Sequence, residues 1–241
     1  GVTRRLHGTP LTRRDAPHVV AMVCVGGIVA PVLLMYGVRA TTGFTASLLL
    51  NLEGVTTALI GWMFFGERVT PRVWGAVALM TMTGVLLSGM TTGTQTGILG
   101  PLLILGSAVG WGIDNNASAR LSHADPLLLI GIKGCIAGLF STLFSWGISG
   151  ALPATRDFLG GLTVGAASYG ISLVLFILSL KAMGAARTGA FFAVGPLAGA
   201  LLSLTIFHGA FTWSMAAALA LTAGSILLVA CDTVQQGASR G

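Results

Sequence analysis

Residues 43–65, GFTASLLLNLEGVTTALIGWMFF, form an apolar run of 23 residues with one charged side chain, Glu53, near its middle. A hydrocarbon core ~30 Å thick takes ~20 helical residues to cross, so this run predicts a transmembrane helix. Working outward, similar runs recur, each ended by a short polar hinge: 17–37 before it, and 73–91, 97–119, 126–149, 158–181, 188–207 and 212–231 after it. Strands of a membrane barrel would alternate in polarity, and these runs do not. The sequence therefore predicts an all-α polytopic membrane protein with eight transmembrane helices.

Composition agrees. Of 241 residues, 54% are hydrophobic and only 8% charged, with a mean hydropathy of +0.88. A soluble domain carries roughly 25% charged residues and could not hide so much apolar surface. The net charge of +6 would suit a nucleic-acid partner, but the basic residues stand singly or in pairs at helix ends without aromatic interleaving. The lipid bilayer is the expected partner, and nucleic acid is not.

The charges also orient the chain. With a cytoplasmic N-terminus, inner segments hold Arg4, Arg5, Arg13, Arg14, Arg68, Arg72, Arg120, Lys181, Arg187 and Arg240. Outer loops hold only Arg39 and Arg156, which is the positive-inside pattern. Both termini are then cytoplasmic, in a cell membrane of the bacterial inner-membrane type. Lys133 alone lies inside a run.

Cys24, Cys135 and Cys231 fall within the runs, show no metal-ligand spacing and read as packing residues. No metal site or cofactor is expected. Segment 1–16 lacks the apolar core of a signal peptide, and the first residue is Gly, which reads as a truncated start.

Shifting the chain against itself by 142 positions, without gaps, pairs Leu33 with Leu175, Ala58 with Ala200, Phe65 with Phe207, Thr70 with Thr212, Ala76 with Ala218 and Leu86 with Leu228. The matched units hold three helices with two more between them, so equivalent helices lie five apart and run in opposite directions. An inverted repeat is a recurring transporter architecture, with the binding site near the midplane between halves. The expected units are 1–92, an incomplete first repeat, and 93–241, a second; completing the first would take two more helices upstream.

TASLLLNLEGVTTALIGWMFFGERVT (45–70) resembles the fourth-helix signature of EamA-type members of the drug/metabolite transporter superfamily. GWGIDNNASARLSHADP (110–126) and KAMGAARTGAFFAVGPLAGALLS (181–203) are similar to that family's sixth helix and its eighth-to-ninth junction. The resemblance implies a ten-helix (5+5) fold, of which this chain holds helices three to ten. Two departures stand out: Gly54 occupies the place of the family's Pro after the Glu, and the hinge His208-Gly209 lacks the family's acidic residue.

Ionisable groups at membrane depth cost roughly 2.5 to 3.5 kcal/mol to insert, so each needs a partner, a cavity or a function. Glu53 can carry a proton or bind a cationic group. Asp114 and Lys133 fall at similar depth, ~6 to 9 Å to the cytoplasmic side of centre, and can pair. Asn115 and Asn116 add amides beside Asp114, and Trp111 lies three residues before it on the same helical face. Tyr169 adds a hydroxyl at mid-span. Structural roles stand beside all of these: a hydrogen bond to a neighbouring helix, an ion-pair strut, or packing. Gly54, Gly195 and Pro196 occupy adjacent or equivalent repeat positions and are the candidate hinges. Small-residue pairs such as Gly106/Gly110, Gly134/Gly138 and Gly195/Gly199 suit close helix packing.

The expected function is secondary active transport of a small metabolite or drug-like solute across the cytoplasmic membrane by alternating access, with proton coupling through Glu53. A homodimer is compatible with this architecture. The alternatives are a membrane-embedded sensor or assembly protein, and an intramembrane enzyme. Against the enzyme, the chain has no HExxH or nucleotide-binding loop, and His7, His18, His123 and His208 avoid the midplane.

Overall fold

The computed structural model describes residues 8–66, 70–90, 98–150, 154–183, 194–206 and 212–238. In chain order the helices are α1 (Ala16–Val20), a π-helical segment π1 (Ala21–Val29), α2 (Ala30–Arg39), α3 (Gly43–Leu50), α4 (Leu52–Phe65), α5 (Pro71–Met90) and α6 (Leu99–Arg120). There follow α7 (Pro126–Ser149), α8 (Thr155–Val164), a second π segment π2 (Gly165–Ile171), α9 (Ser172–Met183), α10 (Val194–Ile206) and α11 (Trp213–Ala238). Each of the eight expected spans contains helix, and the protein is an all-helical polytopic membrane fold.

Among the described residues, five stretches are long and apolar enough to cross a bilayer: Arg13–Arg39, Gly43–Phe65, Pro126–Ser149, Thr155–Leu178 and Trp213–Asp232. The 22-residue α6 has the length but interrupts its apolar run with Asp114-Asn115-Asn116.

Local chemistry sets the helix ends. Thr42 caps α3 by accepting from Thr45 N at 3.1 Å, and Asp125 caps α7 by accepting from Leu127 N at 2.8 Å, with Pro126 in the first turn. At the far ends of α4 and α7, Gly66 (φ 66°) and Gly150 (φ 68°) adopt the left-handed conformation that a Cβ disfavours.

The centre of the bundle is α6. One side packs on π1 and α2, the other on α3 and α4. Small residues allow the approach: a Cβ on Gly110 would stand 2.9 Å from Ala30 Cβ, and one on Gly112 would stand 2.5 Å from Thr56 Oγ1. Two apolar clusters lie at different heights along α6. Phe44, Ala46, Leu48, Leu49 and Ala218 close around Ile104, whereas Met22, Val23, Ala124 and Leu129 close around Ala117 and Leu121.

Helices α5 and α11 run antiparallel. Ser225 Oγ donates to the Ala76 carbonyl at 3.1 Å, a Cβ on Gly224 would stand 3.3 Å from Leu79, and one on Gly75 would stand 3.2 Å from Leu228. Thr70, before α5, donates to Asp232 near the end of α11. Residues equivalent under the 142-position shift share environments: Ala76 and Ala218, Met80 and Thr222, and Thr83 and Ser225 are all buried. Thr70 and Thr212 start their helices alike, each hydroxyl accepting from a backbone N–H, of Val73 at 3.4 Å and Met215 at 3.3 Å. The π segments also correspond, since π2 falls inside the image of π1 under the same shift.

Several details differ from expectation. The second span carries a one-residue turn at Asn51, between α3 and α4, while Gly54 lies within α4 and is exposed. Thr56 and Thr57 both donate to the Glu53 carbonyl, at 3.0 and 2.7 Å, and such back-bonding bends helices. The three cysteines are exposed rather than packed, facing away from the bundle on π1, α7 and α11. Gly134 and Gly138 meet nothing within 4 Å, because their face of α7 points outward; Gly106 and Gly110 do serve close packing.

Candidate functional site

Between the two apolar clusters, α6 presents its polar stretch. The sequence Trp111-Gly112-Ile113-Asp114-Asn115-Asn116 turns around the helix, so its polar groups address different neighbours at one level. Asn115 reaches α4, where Nδ2 donates to Glu53 Oε1 at 2.9 Å and to Thr57 Oγ1 at 3.2 Å. Asn116 Nδ2 donates to the Thr57 carbonyl at 3.0 Å and to the Gly112 carbonyl at 2.9 Å. Thr56 Oγ1, besides its bond to Glu53, donates to the Ala108 carbonyl at 2.9 Å. Helices α4 and α6 are thus joined by a polar seam around Glu53.

Asp114 points the other way, toward π1 and α7. Lys133 of α7 donates to its Oδ2 in an ion pair, and Ser118 donates to Oδ1 at 3.2 Å. Both charged side chains are largely withdrawn from the surface, Lys133 at 14% and Asp114 at 7% exposure, so each carries the other's compensation. Gly26 of π1 lies directly against the Asp114 carboxylate; a Cβ there would occupy the same space. Trp111 Nε1 donates to the Gly26 carbonyl at 3.1 Å, which fixes π1 on α6 from the opposite side.

A narrow, open cleft leads to the ion pair, lined by Met22, Asp114, Asn115, Ser118, Leu129, Ile130, Lys133, Leu173, Phe176 and Ile177. Its polar end belongs to α6 and α7, and its apolar wall is completed by α9. Asn115 is the residue common to the cleft and the Glu53 seam. Among the described residues no group of His, Cys, Asp and Glu is arranged to hold a metal ion.

The sequence matches the EamA-like transporter family over residues 5–90 and 98–231. The chain belongs to that family. An uncharacterized transporter of Methanothermobacter thermautotrophicus (strain Delta H) is 28% identical to this EamA-family chain over 211 residues. Those residues make up 84% of the chain and 61% of the relative, so the chain spans less than two thirds of that relative's length. A solved crystal structure of a protein shares the fold with a TM-score of 0.65, covering 93% of this chain and 79% of that one at 21% identity. Family and apolar helices together make this a multi-pass membrane protein.

Of the residues singled out in the sequence of this EamA-family chain, Glu53, Asp114, Asn115, Asn116, Lys133 and Trp111 gather in one layer. Tyr169 lies in π2, and its side chain is outside the described residues, as is that of Pro196. Gly195 is exposed in the first turn of the described part of α10, with nothing within 4 Å. Glu67, Arg68 and His208 fall outside the described residues.

Thr56, Thr57, Ser118 and Gly26 also join the layer, the last three without having stood out in the sequence. Threonines three and four residues after a mid-span acid are a usable signal; a lone glycine in an apolar run is not. Asn51, at the break between α3 and α4, is buried with neither side-chain atom bonded to a described residue, and the buried Ser107 hydroxyl on α6 is in the same condition.

Proposed function

We propose that the chain is the major part of a secondary active transporter that moves a small solute by alternating access, with no catalytic chemistry of its own. One observation carries this reading: a polar layer with Glu53 and the Asp114–Lys133 pair lies against the C-terminal half of α6, between two apolar clusters. A carrier needs a polar site that neither side of the membrane reaches at once, and apolar layers above and below supply the two seals. Charged groups placed at membrane depth for structure alone would be an expensive choice, since apolar side chains of similar volume pack there without desolvation cost.

The two repeats, 1–92 and 93–241, would rock against each other in this reading. The antiparallel α5–α11 pair supports it, because equivalent positions of the two helices, Ala76 and Ala218, Thr83 and Ser225, are alike buried, as an inverted repeat requires. The turn at Asn51 and the π segments π1 and π2 supply bendable points, beside the candidate hinges Gly54, Gly195 and Pro196.

Proton coupling falls to Glu53. Its carboxylate faces Asn115, and Asn115 lines the cleft, so a change of charge on Glu53 is felt where solute binds. The test is reconstitution into liposomes with an internal pH dye and addition of pooled metabolites. A metabolite-dependent pH change in wild type that Glu53→Gln abolishes is expected. Solute uptake with the same pH dependence in Glu53→Gln would remove Glu53 from the coupling, and absence of any solute flux would overturn the carrier reading.

A further inference from the structure

We infer that His123 is a proton-operated latch: as an imidazolium it ties the segment 8–15 across the α6–α7 turn and holds that end of the bundle closed, and as a neutral imidazole it loosens the tie. The inference goes beyond the carrier reading and concerns residues outside the polar layer.

The segment that precedes α1 is fastened to the turn at several points. Thr9 donates to the His123 carbonyl from its backbone N–H at 2.9 Å and from its hydroxyl at 3.4 Å. Gly8 lies flat on the turn, where a Cβ would run into the backbone of Ala124 and Asp125. Leu11 packs against the apolar cluster that includes Met22, Ala117, Leu121 and Leu129. Segment 8–15 therefore spans from the start of the first helix to the α6–α7 turn, beside the apolar cluster that closes this end of the polar layer.

The ring of His123 supplies the switch. Its Nδ1 stands 3.1 Å from the Arg120 carbonyl oxygen, and its Nε2 stands 3.6 Å from Asp15 Oδ2. Both ring nitrogens thus face oxygens that only accept. A neutral imidazole has one N–H and one lone pair, so one of the two contacts is always mismatched; an imidazolium has an N–H for each. Asp15 is fixed in place for its contact, since Thr12 donates to the same Oδ2 from its backbone N–H at 2.7 Å and from its hydroxyl at 2.8 Å. Histidine is the side chain whose charge ordinarily changes between about pH 5 and 8.

The other ionisable groups on these elements are engaged elsewhere or turned to solvent. The Arg120 guanidinium lies over the Phe65 ring, 4.4 Å from its centroid, and the Asp125 carboxylate caps α7 through Leu127 N. Arg13 and Arg14 are exposed. His18, half-buried on α1, is the second titratable ring at this end and serves as the control.

Opening this end of the bundle has to part segment 8–15 from the turn, so a proton on His123 favours the closed form. With the orientation that the arginines predict, this is the cytoplasmic end, and acidification of the cytoplasm then slows the carrier. An exposed ion pair shifts such an equilibrium by about 2- to 5-fold, and salt screens it.

The experiment places spin labels at Pro10→Cys on the segment and Ser122→Cys on the turn, both exposed, with Cys24, Cys135 and Cys231 replaced by Ala. Pulsed electron paramagnetic resonance on the purified full chain then gives the distance between them at about pH 5.5 and about pH 8. The ratio of close to distant populations is expected to fall about 2- to 5-fold between the two pH values. The fall should vanish in His123→Gln and in Asp15→Asn, and persist in His18→Gln and Glu53→Gln.

An undiminished fall in His123→Gln, loss of the fall in His18→Gln or Glu53→Gln, or no fall in wild type overturns the inference. Asp15→Asn decides the matter where His123→Gln fails to fold. The measurement needs no solute, so it is independent of the flux experiment on which the carrier reading rests.

Discussion

The side-chain amide of Asn115 stands 2.9 Å from Glu53 Oε1 and also lines the cleft that ends at the Asp114–Lys133 pair. One residue thus joins the acid on α4 to the ion pair between α6 and α7. Replacing Asn115 by Ala removes that link and leaves both Glu53 and the ion pair in place. Solute binding is expected to persist while its dependence on pH weakens, with a stability loss of about 1 kcal/mol for the hydrogen bonds given up. Titrating solute affinity at several pH values in wild type and Asn115→Ala checks this.

Gly26 has no room for a methyl group, since a Cβ would displace the Asp114 carboxylate. Gly26→Ala is expected to destabilise the protein by about 1–3 kcal/mol, the usual effect of overpacking, and to loosen the ion pair. Gly54, open on all sides, is the contrast: Gly54→Ala should stabilise its helix by roughly 0.5–1 kcal/mol through propensity. Thermal unfolding of both variants in the same detergent separates the two outcomes.

Asp114 and Lys133 compensate each other. Asp114→Asn or Lys133→Gln alone is expected to cost about 3–5 kcal/mol, and the double variant less than either. A double-mutant cycle read by unfolding gives the coupling directly; additive effects would show that the contact contributes nothing.

Ser107 is fully buried on α6 without a partner among the described residues. An unsatisfied hydroxyl costs roughly 1–3 kcal/mol, so Ser107→Ala should raise the stability of the solute-free protein by about 1 kcal/mol. A Ser107→Ala variant that is more stable yet slower in transport would mark a polar group kept for function at the expense of stability.

Much of this was legible in the sequence because a bilayer simplifies the problem. Each of the eight spans contains helix among the described residues, where apolar runs of about 20 residues stand between polar hinges, since the membrane admits few other structures. The meeting of Asp114 with Lys133 follows from depth alone, because two charges at one level of a bundle have few other partners. Asn115 and Glu53 could not be matched that way, as their contact depends on how α6 is rotated about its axis. Gly26 was invisible for a related reason: π1 shifts the register of its helix, and nothing in the apolar run Ala21–Val29 marks a π-helical insertion. The cysteines misled in the opposite sense, because in lipid an apolar side chain gains little by facing inward, and Cys24, Cys135 and Cys231 face out.

Alternating access is tested most directly at Ser118, which lies in the cleft beside Asp114. With Cys24, Cys135 and Cys231 replaced by Ala, a Ser118→Cys variant would be exposed to a membrane-impermeant maleimide in right-side-out and in inside-out vesicles. A carrier whose central layer opens to each side in turn predicts labelling from both faces, with solute changing the two rates in opposite directions. Labelling from one face only, unaffected by solute, would contradict it.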